Sequence, residues 1–134
     1  MTWDRSDELR NEANDAQLAN IGSGSKIQFR TGAKSLVASG SLLWEVTLAA
    51  GFSASASGAA SLSGVPLTAL CSATGTIGHV RITKTDGTTG ALAGTVTVSG
   101  GGGDVELTAA SLAVVLNQPI DLNSLTFTEN TPSV

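Results

Sequence analysis

Tyrosine is absent from this 134-residue chain, and cysteine, histidine and methionine occur once each. The lone cysteine, Cys71, cannot form an internal disulfide, so the sequence fits synthesis in a reducing environment. Cys71 and the lone histidine, His79, are too few for a zinc shell, and Asp104 with Glu106 lacks a third ligand. We therefore expect no metal site and no bound cofactor, with Asp104 and Glu106 on a solvated, acidic strand face.

Basic residues are also scarce, because seven Lys and Arg stand against eleven Asp and Glu, for a formal charge of −4. This composition leaves no basic stripe to neutralise phosphates, so we expect no nucleic-acid partner. No window holds 18 consecutive apolar residues, and the chain opens with Asp4, Arg5, Asp7 and Glu8. Neither a membrane span nor a signal peptide is predicted, and no membrane partner is expected.

Catalytic residues are equally hard to assemble. His79 would have to serve as the base for Cys71, or for a serine with Asp86 as the orienting carboxylate. No G-x-S-x-G elbow occurs, and the pair Asp104 and Glu106 would need another carboxylate across a cleft and an aromatic platform for a sugar. The sequence therefore predicts a protein that is not an enzyme and assigns no catalytic residue.

Enough apolar bulk is nevertheless present for one folded domain. About a quarter of the residues are Leu, Ile, Val or Phe, above the roughly 20% below which chains stay disordered. Charge is concentrated at the start, where seven of the eighteen charged residues lie between positions 4 and 15. Asp4 or Ser6 can cap a helix over about residues 6–19, and Gly22 can end it. The glycines and Lys26 that follow are not a phosphate loop, because the helix precedes them.

The predicted helix carries apolar residues on two sides. Leu9 lies on one face of a 3.6-residue period and Leu18 on the opposite one, with Trp3 and Ile21 closer to Leu18. Two readings follow: the helix covers one end of the body, or it is an arm that packs against a neighbouring subunit. We therefore assign residues 1–24 to a helical arm and linker, with Trp3, Leu9, Leu18 and Ile21 as candidate interaction residues.

From residue 25 the apolar period changes to two, which predicts strands with one buried face. Ile27 and Phe29 alternate with polar residues, as do Trp44 and Val46. Residues 51–63 are almost all small around Phe52, a candidate contact residue, and predict a loop or a weak edge strand. Seven to nine short strands predict a mainly β fold, an antiparallel β-sandwich or jelly roll over residues 25–134.

Turn signals divide the second half of this β body. Asp86 and Gly87 favour a hairpin between residues 76–85 and 92–98. The glycines at 100–103 predict a flexible or tightly curved connection. A bulge near Asn123 and Ser124 would keep the apolar residues of the last strand on one side.

Three segments of the β body resemble a group of small bacteriophage virion proteins with an N-terminal helix rich in Arg, Asn and Ala and an all-β remainder. They are residues 75–82 (GTIGHVRI) with the turn at 86–87, residues 94–100 (GTVTVSG) leading to 104–107 (DVEL), and residues 117–122 (NQPIDL) continuing to 128. Asn117 stands where the group has Gly, and the glycine run at 100–103 is longer than usual. Both departures affect loop shape.

The resemblance implies a non-enzymatic structural protein of the virion, assembled in the host cytoplasm, and first of all a capsid decoration or cement protein. Its expected partners are the major capsid protein or other virion proteins, and it is expected to form a homo-oligomer. Two alternatives are a phage neck or tail adaptor or adsorption component, and a carbohydrate-binding β-sandwich. The absence of Tyr, with Trp3 and Trp44 the only tryptophans, counts against the carbohydrate-binding module.

Overall fold

A computed structural model describes residues 6–54, 56, 59–63, 67–107, 111–122 and 125–128. This part of the chain is mainly β, as the sequence predicts, with several antiparallel sheets. Its elements are α1 (Asp7–Leu18), β1 (Lys26–Arg30), β2 (Leu42–Thr47), β3 (Ala59–Ser61), β4 (Leu67–Leu70), β5 (Gly75–Thr76), β6 (His79–Thr83), β7 (Gly90–Gly94), β8 (Val96–Val98), β9 (Val105–Leu107), β10 (Ala113–Val114), β11 (Pro119–Leu122) and β12 (Thr126–Thr128).

Helix α1 is joined to the body at its C-terminal end. At its start, the Ser6 hydroxyl accepts a hydrogen bond of 3.2 Å from the backbone N–H of Leu9, the arrangement of an N-cap. At its other end Leu18 and Ile21 are 5% exposed and belong to the hydrophobic core. Helix α1 contacts β3, so its last turn is a fixed part of the body.

The largest sheet has four antiparallel strands in the order β2, β1, β6, β7. Its apolar face carries Ile27, Phe29 and Trp44, all fully buried. The rings of Phe29 and Trp44 are stacked, with centroids 4.8 Å apart. The Trp44 indole N–H donates a 3.1 Å hydrogen bond to the carbonyl of Ala69 in β4. This face is therefore covered by other strands of the chain.

The remaining strands pair in twos. Pairs β5–β10, β4–β11 and β3–β12 are antiparallel, whereas β8 and β9 are parallel. The predicted hairpin turn at 86–87 is confirmed, since β6 and β7 flank it and pair with each other. The predicted second strand at 92–98 is wrong, because β7 ends at Gly94 and residues 96–98 form β8, which pairs with β9.

The connection between β8 and β9 explains how strands so close in sequence can be parallel, since parallel neighbours usually need a connection of a dozen or more residues. The carboxylate of Glu106 accepts hydrogen bonds from the N–H groups of Gly100 and Gly102, at 3.0 and 3.1 Å. A Cβ at Gly101 would lie 2.6 Å from the Thr97 Cβ, so the turn has no room for a side chain there. The glycine run is tightly curved. Asp104, just before β9, and Glu106 within it are both exposed, as predicted for a solvated acidic face, and Glu106 in addition closes the turn.

Two sequence predictions concern other segments. For residues 51–63 the sequence predicts a loop or a weak edge strand. The structure has the short strand β3 there and an isolated bridge between Phe52 and Leu62, which correspond to the weak strand. The predicted bulge at Asn123 and Ser124 lies outside the described residues.

Candidate interaction site on the polar face of the sheet

The second face of the four-stranded sheet is polar in sequence yet covered in the structure. Alternation along β1 predicts one buried face and one facing water. The structure corrects this, since Gln28, His79, Arg81 and Thr83 are all at least 95% buried. We call this set with its neighbours the polar layer; its members are Lys26, Gln28, Arg30, Glu45, His79, Arg81 and Thr83.

Residues 31–41, which join β1 to β2, cover the part of the polar layer around Arg30, His79 and Arg81, and we call them the pinned loop. The side chains of Lys26 and Glu45 stay 36% and 30% exposed. Three side chains of the sheet donate hydrogen bonds to carbonyl groups of this loop. The bonds run from Arg30 Nη1 to Ser39 O (3.4 Å), from His79 Nδ1 to Gly32 O (3.1 Å) and from Arg81 Nε to Leu36 O (2.8 Å). A carbonyl oxygen only accepts, so Nδ1 of His79 is the donor in its bond to Gly32.

The two ends of the pinned loop meet, as in an Ω-loop. The N–H of Thr31 donates to the Ser41 carbonyl at 3.1 Å, and the N–H of Ser41 donates to the Thr31 hydroxyl at 2.9 Å. The loop is therefore closed at its base as well as held along its length.

Two glycines of the sheet let the loop backbone come this close. A Cβ at Gly78 would lie 2.1 Å from the carbonyl oxygen of Gly32, and a Cβ at Gly90 would lie 2.1 Å from that of Leu36. Any other residue at either position would push the loop off the sheet. In the sequence, a glycine beside a strand, as at Gly78, or within one, as at Gly90, indicates that another backbone segment comes close there.

Arg81 is the central group of the polar layer. Besides the Leu36 carbonyl, its guanidinium donates to the Thr88 carbonyl and, at 2.9 Å, to the side-chain oxygen of Gln28. All three acceptors are neutral, so this buried charge is hydrogen-bonded without a carboxylate against it. The site thus depends on the positions of backbone carbonyls, which the folded loop and the β6–β7 turn supply.

The polar layer carries an excess of positive charge. The Gln28 amide donates to Glu45 at 2.6 Å, and the Lys26 ammonium lies 3.4 Å from the same carboxylate. Lys26, Arg30 and Arg81 supply three positive charges and Glu45 one negative charge, which leaves two positive charges uncompensated within the layer. This local sign is opposite to the net charge of −4 of the whole chain.

The outer side of the pinned loop is apolar. Leu36 is 53% exposed and Val37 69% exposed, and Lys34 is exposed beside them. A loop that is held from beneath loses little conformational entropy on binding, so its side chains are well suited to recognition. Leu36 and Val37 are not among the interaction residues predicted from the sequence, although they form a bulky apolar pair in a segment of small residues.

The residues singled out from the sequence lie in different surroundings. Leu9 is 53% exposed, whereas Leu18 and Ile21 belong to the core of their own chain. Phe52 is half-buried beside Leu62. Trp3 lies outside the described residues.

Cys71 and His79, weighed above as a nucleophile and base, have other neighbours. Burial raises the pKa of the Cys71 thiol, which disfavours the thiolate. The backbone N–H of Cys71 donates to the Gln118 carbonyl. His79 Nδ1 is bound to the pinned loop, and its Nε2 is buried without a hydrogen-bond partner.

Within the described ranges, no three His, Cys, Asp or Glu side chains come together as a metal site. No helix there combines the length and apolar character needed to cross a bilayer. No protein-family model, no curated protein and no solved structure matches this chain.

Proposed function

We propose that this protein is a non-enzymatic structural component of a bacteriophage particle, a decoration or cement protein that binds the assembled capsid shell. The observation that carries the proposal is the pinned loop: the buried polar groups beneath it are committed to holding a loop whose apolar side chains face outward. The resemblance of residues 75–82, 94–107 and 117–128 to small virion proteins supports the phage context.

The architecture proposed for this role is a two-layered β-sandwich over residues 25–134 with the helical arm of residues 1–24 attached. The apolar face of the four-stranded sheet supports it, because Trp44 of β2 is hydrogen-bonded to Ala69 of β4. Strand β4 belongs to a two-stranded pairing outside that sheet, which is the arrangement expected of a second layer.

The proposed mechanism is preferential binding. A protein that binds an assembled lattice and not its free subunits stabilises the lattice by RT ln(1 + [L]/Kd) per site, about 2.7 kcal/mol at a hundredfold excess over Kd. Many copies multiply this effect over one shell. The major capsid protein is the proposed partner, and the virion is the proposed location.

The test is the stoichiometry of the protein in purified phage particles, measured by quantitative mass spectrometry against the major capsid protein. A copy number comparable with that of the capsid subunit is expected for a shell protein. A copy number more than tenfold lower would place the protein in the neck or tail. Its absence from mature particles would overturn the proposal.

A further inference from the structure

The pinned loop and helix α1 are two exposed surfaces of opposite charge on the same chain. We infer that the pinned loop of one copy binds the acidic face of α1 of a second copy. This inference rests on the proposed function: the loop is a recognition surface of the assembly, its occupant is a second copy of this chain, and the capsid protein is contacted by other surfaces of the joined copies.

The loop side of this contact is apolar and positive. Leu36 and Val37 are exposed at its outer side, with Lys34 beside them. No acidic residue occurs within residues 31–41. The polar layer beneath adds the two uncompensated positive charges, which lie close under the loop because Arg30 and Arg81 both donate to its carbonyls.

The helix side is apolar and negative. Glu8 and Glu12 are exposed and one helical turn apart, so they lie on one face of α1. Leu9 is 53% exposed. It lies next to this acidic face, because Glu12 is three residues further along the helix and residues at that spacing are neighbours on its surface. The described part of α1 therefore offers one bulky apolar side chain with two carboxylates along one side of it, the complement of Leu36 beside Lys34.

A second copy is required for this contact. Leu9 and Leu36 are each more than half exposed within one chain, so neither covers the other. Helix α1 is held on its own body through Leu18 and Ile21 and contacts β3. Its acidic face is thus presented at a fixed position, which permits a reciprocal pair or a ring of copies.

The first experiment measures self-association of the purified full-length chain by sedimentation velocity over a range of concentrations. Association is expected, and it should weaken as salt is raised, because the contact pairs opposite charges at the surface. The variants Lys34→Glu and Glu12→Lys should each weaken association about tenfold or more. Both side chains are exposed, so thermal unfolding of either variant should match that of the wild type.

Mixing provides the decisive control. An equimolar mixture of Lys34→Glu and Glu12→Lys copies should associate far better than either variant alone, because each intact helix meets an intact loop and each reversed pair is again complementary. Asp121→Lys makes the same charge change as Glu12→Lys at an exposed acid on β11, and it should leave association unchanged.

Three results would overturn the inference: a wild type that stays monomeric at every concentration, an unchanged association in Lys34→Glu, or a mixture that associates no better than its components. None of these bears on the copy number in particles. Failure of the helix–loop contact is therefore distinguishable from failure of the proposed virion role.

Discussion

The two faces of the four-stranded sheet are both buried, but by different means. On the apolar face Phe29 and Trp44 are covered by other strands through packing. On the polar face Gln28 and Arg81 are covered by a loop without regular secondary structure, through hydrogen bonds to specific backbone atoms. Apolar packing tolerates many side chains of suitable volume. The hydrogen bonds of the polar face, in contrast, form only with a backbone that follows one particular path. The same sheet therefore supports an apolar core on one side and a hydrogen-bonded loop on the other.

The largest expected effect comes from breaking the apolar face. Trp44→Ala removes the biggest buried side chain and should lower the free energy of unfolding by about 3–5 kcal/mol, measured by urea denaturation. Trp44→Phe is the matched control, since it keeps an aromatic ring and loses only the hydrogen bond to Ala69 and some volume. A loss below about 1 kcal/mol in Trp44→Ala would contradict the assignment of this face to the core.

An intermediate effect is expected from breaking the polar face. Arg81→Met keeps the length of the side chain but leaves the carbonyls of Leu36 and Thr88 without their donor, which should cost about 2–3 kcal/mol. Local opening should also speed trypsin cleavage after Lys34, detected by mass spectrometry of the fragments. Lys84→Met, at an exposed site, should change neither quantity. Equal cleavage rates in Arg81→Met and the wild type would show that Arg81 does not hold the loop.

The smallest effect concerns the hairpin turn that supplies one of the acceptors of Arg81. The pKa of Asp86 is lowered to about 2 by hydrogen bonds to its carboxylate. The bond from the Thr89 hydroxyl has the largest effect, followed by those from the backbone N–H groups of Thr88 and Thr89. The folded pKa lies below the unfolded value of 3.8, so the stabilisation is present above pH 4 and is lost as pH falls towards 2.

Thermal unfolding of the wild type and of Asp86→Asn tests this pH dependence. The variant should melt at a lower temperature at pH 5, and the difference should shrink between pH 4 and pH 2, because over this range the Asp86 carboxyl takes up a proton more readily in the unfolded chain than in the folded one. A difference that is constant over this range would contradict the role of the ionised Asp86 in the turn.

A good part of the fold could be predicted from local patterns. The change of apolar period after residue 25 and the Asp86–Gly87 turn correctly indicate a mainly β chain and the β6–β7 hairpin. Local patterns failed where the pairing is not local. The parallel pair of β8 and β9 depends on how Glu106 closes the glycine turn, a contact that no periodicity encodes.

The candidate site was the least predictable part. Lys26, Gln28 and Arg30 alternate with apolar residues in the manner of a solvent-facing side. Their burial depends on residues 31–41, which carry no secondary-structure signal. Trp3, Leu9, Leu18, Ile21 and Phe52 were chosen as bulky apolar residues in polar or small-residue segments. The same criterion applies to Leu36 and Val37, which were overlooked.

By itself the amino-acid sequence determined the β character of the body and the residues that form its apolar core, because side-chain periodicity decides which face of a strand leaves water. Only the tertiary structure decided that the opposite face is also closed and that a loop is held on it. That outcome requires backbone carbonyls of the loop to meet donors from the neighbouring strand β1 and from the distant strand β6, and the positions of backbone atoms are set by the whole fold.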